Sequence, residues 1–381
     1  MTVLVTGGAG YVGSQLVHEL HAAGESVVVM DDLSSGHADL VPGGVTLVIG
    51  SVGDPALLAQ TLRQYGVTEI VHFAASAVVP ESVRNPLLYY ANNTTNTLTI
   101  VREAVLARVK SIIFSSTAAV YGNPQSVPVD ESAPLQPLSP YGRSKLACEW
   151  IVRDVCSAHP LRYIVLRYFN VAGADPLLRT GQWSVGATHL IKVAIEAGLG
   201  IRQKLDVFGT DYSTSDGTGV RDFIHVADLA AAHVLALRRL REGCCNDTFN
   251  CGYGRGYSVL EVISAIKQEI GRDFQVNFGP RRTGDPAIVV ADATKARAAL
   301  GWRPQYDDLA VIVRHAIAWE IRMRTLRGRA AAHAPLTESI PAQSMGLAAA
   351  DNATNIDRPP WPAHRNLEPS PPELGGDAAE R

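Results

Sequence analysis

Through the first half of the chain, short and almost continuously apolar runs alternate with stretches whose apolar residues recur at helical spacing. The runs Val3 to Thr6, Ser26 to Met30, Val45 to Ile49, Glu69 to Phe73, Ser111 to Ser116 and Tyr163 to Tyr168 predict six strands. Strands this short and this uniformly apolar suit a parallel sheet buried on both faces. Between the first two, Val12, Leu16, Val17 and Leu20 mark one face of a helix, so the first unit is strand, glycine turn, helix, strand. The fold class predicted is α/β, a doubly wound parallel sheet with a smaller, interleaved α/β domain.

Beyond Phe169 the alternation becomes irregular. Helical segments at Leu190 to Ala197 and Val226 to Leu240 are separated by Gly-rich and polar stretches such as Gly209 to Gly219. Residues 1–170 are therefore assigned to the sheet domain, with returns to it from about 220–250, and 171–325 mainly to the second domain. Residues 326–381, rich in Ala and Pro and without a sustained period, read as a disordered tail.

Composition narrows the function. The formal net charge of −3, from 34 Lys and Arg against 37 Asp and Glu, argues against a nucleic-acid surface, which needs clustered cations. No apolar run approaches the roughly 20 residues of a membrane span, and the start of the chain has no room for a secretory leader. Five cysteines without a C-x-x-C pair suggest neither a disulfide framework nor a metal site. A cytoplasmic enzyme is the expectation. His72 and His225 lie in apolar runs and read as structural histidines, and Trp302 as a packing anchor.

The turn Gly7-Gly8-Ala9-Gly10-Tyr11-Val12-Gly13 follows a strand and opens a helix, the context a dinucleotide-binding glycine motif requires. Glycines there allow a tight turn and close approach of backbone to a pyrophosphate at the positive end of the helix. Asp31, ending the second strand, is placed to accept from a ribose diol and to repel a 2′-phosphate, which favours NAD over NADP. Asp32 and Ser34 follow it in the same turn.

Ser139-Pro140 reads as a helix start that puts Tyr141 and Lys145 on one face. An ammonium near a phenol favours the phenolate, giving a general acid/base for a hydroxyl proton. Ser115, Ser116 and Thr117 end the fifth strand, at the edge where parallel sheets place ligands. Ser116 and Thr117 are both candidates to touch the reacting oxygen, and spacing does not rank them.

These residues carry a resemblance. With His72-Phe73-Ala74-Ala75, Val120-Tyr121-Gly122, Arg167-Tyr168-Phe169-Asn170 and Gly217-Thr218-Gly219-Val220-Arg221-Asp222, the chain over about residues 1–325 resembles the UDP-glucose 4-epimerases of the extended short-chain dehydrogenase/reductase family. The resemblance implies NAD as cofactor, a UDP-sugar as substrate and a homodimer, paired through helices near Thr94 to Ala107 and Lys145 to Ala158. It implies NAD contacts from Gly7, Gly10, Tyr11, Val12, Gly13, Asp31, Asp32, Leu33, Ser34, Phe73, Ala74, Ala75, Asn92, Ser115, Tyr141, Lys145 and Tyr168. Tyr141 is implied as the acid/base, Lys145 as its tuner and Thr117 as a contact to the sugar hydroxyl. For the UDP-sugar it implies Asn170, the Asp206-Val207-Phe208 stretch at uracil, Arg221 and Arg282 on the diphosphate, and Asp285 near the uridine ribose.

The chain departs from its family in places. Ser51 replaces an aspartate at the adenine end, Ala77 a lysine near the cofactor phosphates, and Phe223 a tyrosine. Thr188 and His189 stand where the family often has Asn-Asn in the substrate lobe, and Val289 where a bulky residue gates the sugar pocket, so N-acetylhexosamines are expected to enter as well. The activity implied is reversible C4 epimerisation of UDP-glucose and UDP-galactose through a 4-keto sugar. Epimerisation of UDP-GlcNAc/GalNAc or UDP-xylose/arabinose and, on the same fold, a non-catalytic NAD-sensing regulator are the alternatives. Ala118-Ala119 after Thr117 lacks the acid and base that a 4,6-dehydratase needs there, and the Tyr141/Lys145 pair disfavours the regulator.

Overall fold

The computed structural model describes residues 1–184, 186–282 and 284–332. Its strands are β1 (Thr2–Thr6), β2 (Ser26–Asp31), β3 (Thr46–Ile49), β4 (Val67–His72), β5 (Ser111–Thr117), β6 (Arg162–Tyr168), β7 (Asn170–Ala172), β8 (Leu205–Phe208), β9 (Val220–His225), β10 (Asp247–Cys251), β11 (Gly256–Ser258), β12 (Val276–Gly279) and β13 (Ile288–Val289). The six strands expected from apolar runs are β1 to β6, each within two residues of its expected ends. With β10 they form a seven-stranded parallel sheet in the order β3-β2-β1-β4-β5-β6-β10. The direction of strand addition reverses between β1 and β4, so a crevice opens at their carboxyl ends, where the glycine turn and Phe73-Ala74 lie.

Alternation along the strands sends side chains to two cores. Val3, Val5, Val29, Val71 and Ile113 pack with the helices Tyr11–Ala22 and Val226–Arg241. Leu4, Val28, Met30, Ile70, Ile112 and Phe114 face the helices Pro55–Gln64, Asn96–Leu106 and Pro140–Ala158. The last of these begins where expected: Ser139 Oγ accepts from Gly142 N at 3.2 Å, and Pro140 takes the first position, where no backbone donor is needed.

The smaller lobe holds a sheet of β11-β9-β13 with β7 beside β9, and the ribbon β12-β8. The helix Val226–Arg241 packs against the large sheet and strand β10 joins it beside β6, whereas β9 pairs with β7, β11 and β13. The expected tail overlaps the helix Leu309–Ala332, and residues 333–381 of it lie outside the described residues. No helix among the described residues is long and apolar enough to cross a membrane.

Candidate active site

At the carboxyl end of β1 the glycines are demanded by space. Gly7 has φ +71°, and a Cβ there would stand 2.6 Å from Ala74 N; one on Gly13 would stand 2.2 Å from Gly7 O. Neither backbone atom can yield without unmaking the turn. Gly10 heads the helix Tyr11–Ala22 with no side-chain cap and no acidic residue in the first turn, leaving the helix end open to an anion. Tyr11 OH donates to Gly173 O at 2.6 Å and Val12 packs against the core, so the side chains of both residues are engaged away from the open helix end.

Asp31 braces the same turn. Its carboxylate accepts from Ala9 N and from Leu33 N, both at 2.9 Å, and burial raises its pKa against those two bonds. Each carboxylate oxygen keeps a lone pair for a ribose hydroxyl. Leu33 adopts φ +58°, and Asp32 accepts from Ser34 N and Oγ, closing a tight local turn. Asp54, near the missing adenine-end carboxylate, instead caps the helix Pro55–Gln64 through Ala56 N and Leu57 N. The cramped glycines, the uncapped helix end and Asp31 fit the diphosphate and ribose of NAD.

Asn92 lies on a π-helical turn, Tyr90–Thr95, a distortion that often marks functional sites. It donates to Ser76 Oγ at 2.9 Å. Its neighbour Asn93, not singled out from sequence, accepts from Ser76 N and donates to Ser144 Oγ on the helix carrying Tyr141. The loop after β4, with Ala74 and Ala75, is thereby tied to that helix.

The three hydroxyls of β5 separate by strand phase. Thr117 accepts from Ala119 N at 3.1 Å and stands beside the Tyr141 phenol, whose pKa it lowers. Ser115 meets His233 Nε2 at 3.3 Å and the Tyr168 phenol. Ser116, expected beside Thr117 as a catalytic hydroxyl, points to the opposite face and donates to Glu149 Oε1 at 2.6 Å. Period-two alternation thus takes Ser116 out of the reacting group. His233 was not anticipated. It packs 4.7 Å from the Phe73 ring, and burial pushes its pKa down to about 4. Its Nδ1, 2.9 Å from Leu229 O, must carry the proton, so Nε2 accepts from Ser115.

Tyr141 is 8% exposed and Lys145 3%, one turn apart as expected. Burial pushes the Lys145 pKa down to about 8. Its ammonium lies 4.5 Å over the Phe114 ring, and it makes no ion pair among the described residues. The expected lowering of the Tyr141 pKa by Lys145 is not found: burial raises it, and the neighbouring Thr117 opposes that. His72 is structural as expected, bonded to Thr6 and Thr97. His225 pairs with His315, and Trp302 Nε1 donates to Asp228 O.

In the smaller lobe, Arg221 donates to the carbonyls of Val220, Pro286 and Ala287 and makes no ion pair among the described residues. Asp285 and Arg282 both lie near enough to Arg221 to act on it electrostatically. Arg282 lies 4.8 Å over the Phe208 ring and pairs with Asp285 at 3.0 Å. Phe208 is exposed beside them, but Val207 turns its side chain into the core, a second correction from strand phase. Asn170, Thr188 and His189 are exposed, and His189 Nδ1 meets Gln182 Nε2 at 2.6 Å. Val289 is buried with Tyr121, Leu146 and Phe169, the last of which directly follows Tyr168.

Comparison with known proteins gives the same reading. The model of the "NAD dependent epimerase/dehydratase family" matches residues 3–252. A curated UDP-glucose 4-epimerase of Azospirillum brasilense is 52% identical over 330 residues, covering 87% of this chain and 95% of that protein. A UDP-glucose 4-epimerase structure from Brucella ovis in complex with NAD superposes with TM-score 0.81 at 42% identity, covering 83% of this chain and 97% of the other. The UDP-Glc/GlcNAc 4-epimerase of Campylobacter jejuni gives TM-score 0.74 at 44% identity over 84% of this chain and 99% of its own. A glycine turn shaped for a diphosphate, a Thr117–Tyr141–Lys145 group beside it, and matches of this length mean that the chain belongs to the NAD dependent epimerase/dehydratase family.

Proposed function

We propose that this enzyme interconverts UDP-glucose and UDP-galactose at C4. The observation that carries the reading is the buried Tyr141, beside Thr117, one turn from Lys145 and at the carboxyl edge of the sheet that carries the glycine turn. NAD, which the glycine turn and Asp31 would hold, would supply the two-electron acceptor and donor for the hydrogen on C4. Tyr141 takes the proton of the sugar 4-OH as the bond to C4 is oxidised and gives it back on reduction. Thr117 holds the same oxygen in line. Lys145, kept in a dry setting over Phe114, favours the phenolate once the site is filled.

Turning the keto sugar over requires that the nucleotide stay anchored while the sugar is loose. Arg221 and Arg282 serve that need, because their forks suit phosphate oxygens, and Asp285 and Phe208 stand beside them for the ribose and uracil. The alternatives at C4 differ in the distal pocket only, so the test is direct. Purified protein incubated with UDP-galactose and no added nucleotide yields UDP-glucose; absence of product from NAD-loaded protein would sink the proposal.

The partner is a second copy of the chain. Leu98 and Trp150 are 50% and 55% exposed on the helices Asn96–Leu106 and Pro140–Ala158, an apolar face that a twofold contact would bury. Trp150→Glu is expected to sediment as a monomer where the parent sediments as a dimer. A cytoplasmic location fits the buried free thiols of Cys148, Cys156 and Cys251.

A further inference from the structure

Behind the Thr117 face lies an ionic network to which the reaction above gives no task. Glu149, one turn beyond Lys145, is fully buried, and Arg167 of β6 is 1% exposed. Arg167 grips the carboxylate as a fork, Nε to Oε1 at 2.9 Å and Nη2 to Oε2 at 2.7 Å. Arg153 reaches Oε2 at 3.1 Å from the next turn. The remaining Arg167 nitrogen donates to Tyr121 OH at 3.0 Å, which donates in turn to Asn250 Oδ1 at 2.7 Å.

A satisfied buried ion pair contributes little net stability over apolar packing of the same shape. Its place in the fold suggests another use. Ser116 and Arg167 are directly opposite each other in the β5–β6 register, and both end on Glu149. The next pair in that register is Thr117 opposite Tyr168, facing the reacting side. One carboxylate therefore ties the two strands that present Thr117 and Tyr168 to the helix that presents Tyr141 and Lys145.

The spacing on the helix makes that tie a rotational stop. Tyr141, Lys145 and Glu149 follow one another at four-residue steps, so each is displaced about 40° around the axis from the last. Fixing Glu149 fixes the angle at which Tyr141 meets Thr117. A turn of about 10° at a radius of about 6 Å would move the phenol by about 1 Å, and a displacement of that size can cost about a hundredfold in rate.

We propose that Glu149, held by Arg167 and Ser116, is a positioning residue that sets the rotation of the catalytic helix against Thr117. The proposal rests on the epimerase reading. It is tested on NAD-loaded Ser116→Ala and Glu149→Gln, with kcat and KM for UDP-galactose, bound NAD and Tm measured on each. Ser116→Ala removes one bond and leaves the Arg167 fork intact, so the fold survives. Its kcat falls about tenfold with KM and NAD content unchanged, and Glu149→Gln falls further.

A role in stability alone would lower Tm and leave the kcat of folded protein untouched. Wild-type kcat in folded Ser116→Ala overturns the proposal, as does a loss that tracks a rise in KM or a loss of NAD. Should Glu149→Gln not fold, Ser116→Ala decides alone. An inactive parent protein would overturn the epimerase reading and this proposal together, whereas an active parent matched by Ser116→Ala overturns only the latter.

Discussion

Replacing Tyr141 by Phe separates chemistry from folding. The ring keeps its packing, including the edge-on contact with Tyr89 at 6.3 Å between centroids. At most one hydrogen bond, to the neighbouring Thr117, is lost, and Thr117 Oγ1 retains Ala119 N at 3.1 Å, so no buried group is orphaned. One neutral hydrogen bond is worth about 0.5–1.5 kcal/mol, partly offset because a phenol no longer has to be buried. Tm should therefore shift by no more than about 2–4 °C. Loss of a positioned acid/base costs about 10²–10⁴ in rate, or about 3–5 kcal/mol at 1.36 kcal/mol per decade. The catalytic effect thus exceeds the structural one severalfold. The assay is conversion of UDP-galactose at saturation by protein of measured NAD content, with Tm recorded in parallel. A Phe variant that keeps its NAD and turns over at the parent rate would refute the role given to Tyr141.

Gly7→Ala and Gly13→Ala place a Cβ against backbone at 2.6 and 2.2 Å, so both are expected to purify without NAD; a nucleotide-replete variant would show that the turn can widen. Lys145, pushed down to about 8 from 10.5, makes the native state release a proton that the unfolded chain still holds between those values. Its contribution to stability is a penalty below about pH 8 and improves as pH rises toward 10.5. Urea midpoints across that window should climb less in Lys145→Met than in the parent, and identical slopes would contradict the assignment. Val289, small where it borders Tyr121 and Phe169, predicts measurable turnover of UDP-GlcNAc beside UDP-glucose, and none detected would close that pocket to N-acetyl groups.

What could be read along the chain was whatever depends on neighbours in sequence. The strands β1 to β6 were legible because parallel strands buried on two faces are apolar throughout. Strand β10 was not, because Asp247-Thr248-Phe249-Asn250-Cys251 mixes polar and apolar residues and earns its place only by pairing with β6. Ser115, Ser116 and Thr117 are chemically alike, and nothing local states which face each takes. The same ambiguity of phase hid the inward turn of Val207 beside the exposed Phe208.

The sequence by itself determined the glycine turn, Asp31 at the end of β2, and Tyr141 with Lys145 at four-residue spacing. Each is a local device set by backbone freedom or helix pitch. Only the tertiary structure decided that Thr117 and not Ser116 meets Tyr141, that His233 orders Ser115, and that Arg282 lies over Phe208. It also decided that the Lys145 charge rests over Phe114 and that burial raises the Tyr141 pKa. These outcomes turn on which distant surfaces come together and how far water is excluded between them, and neither quantity is written in any stretch of neighbouring residues.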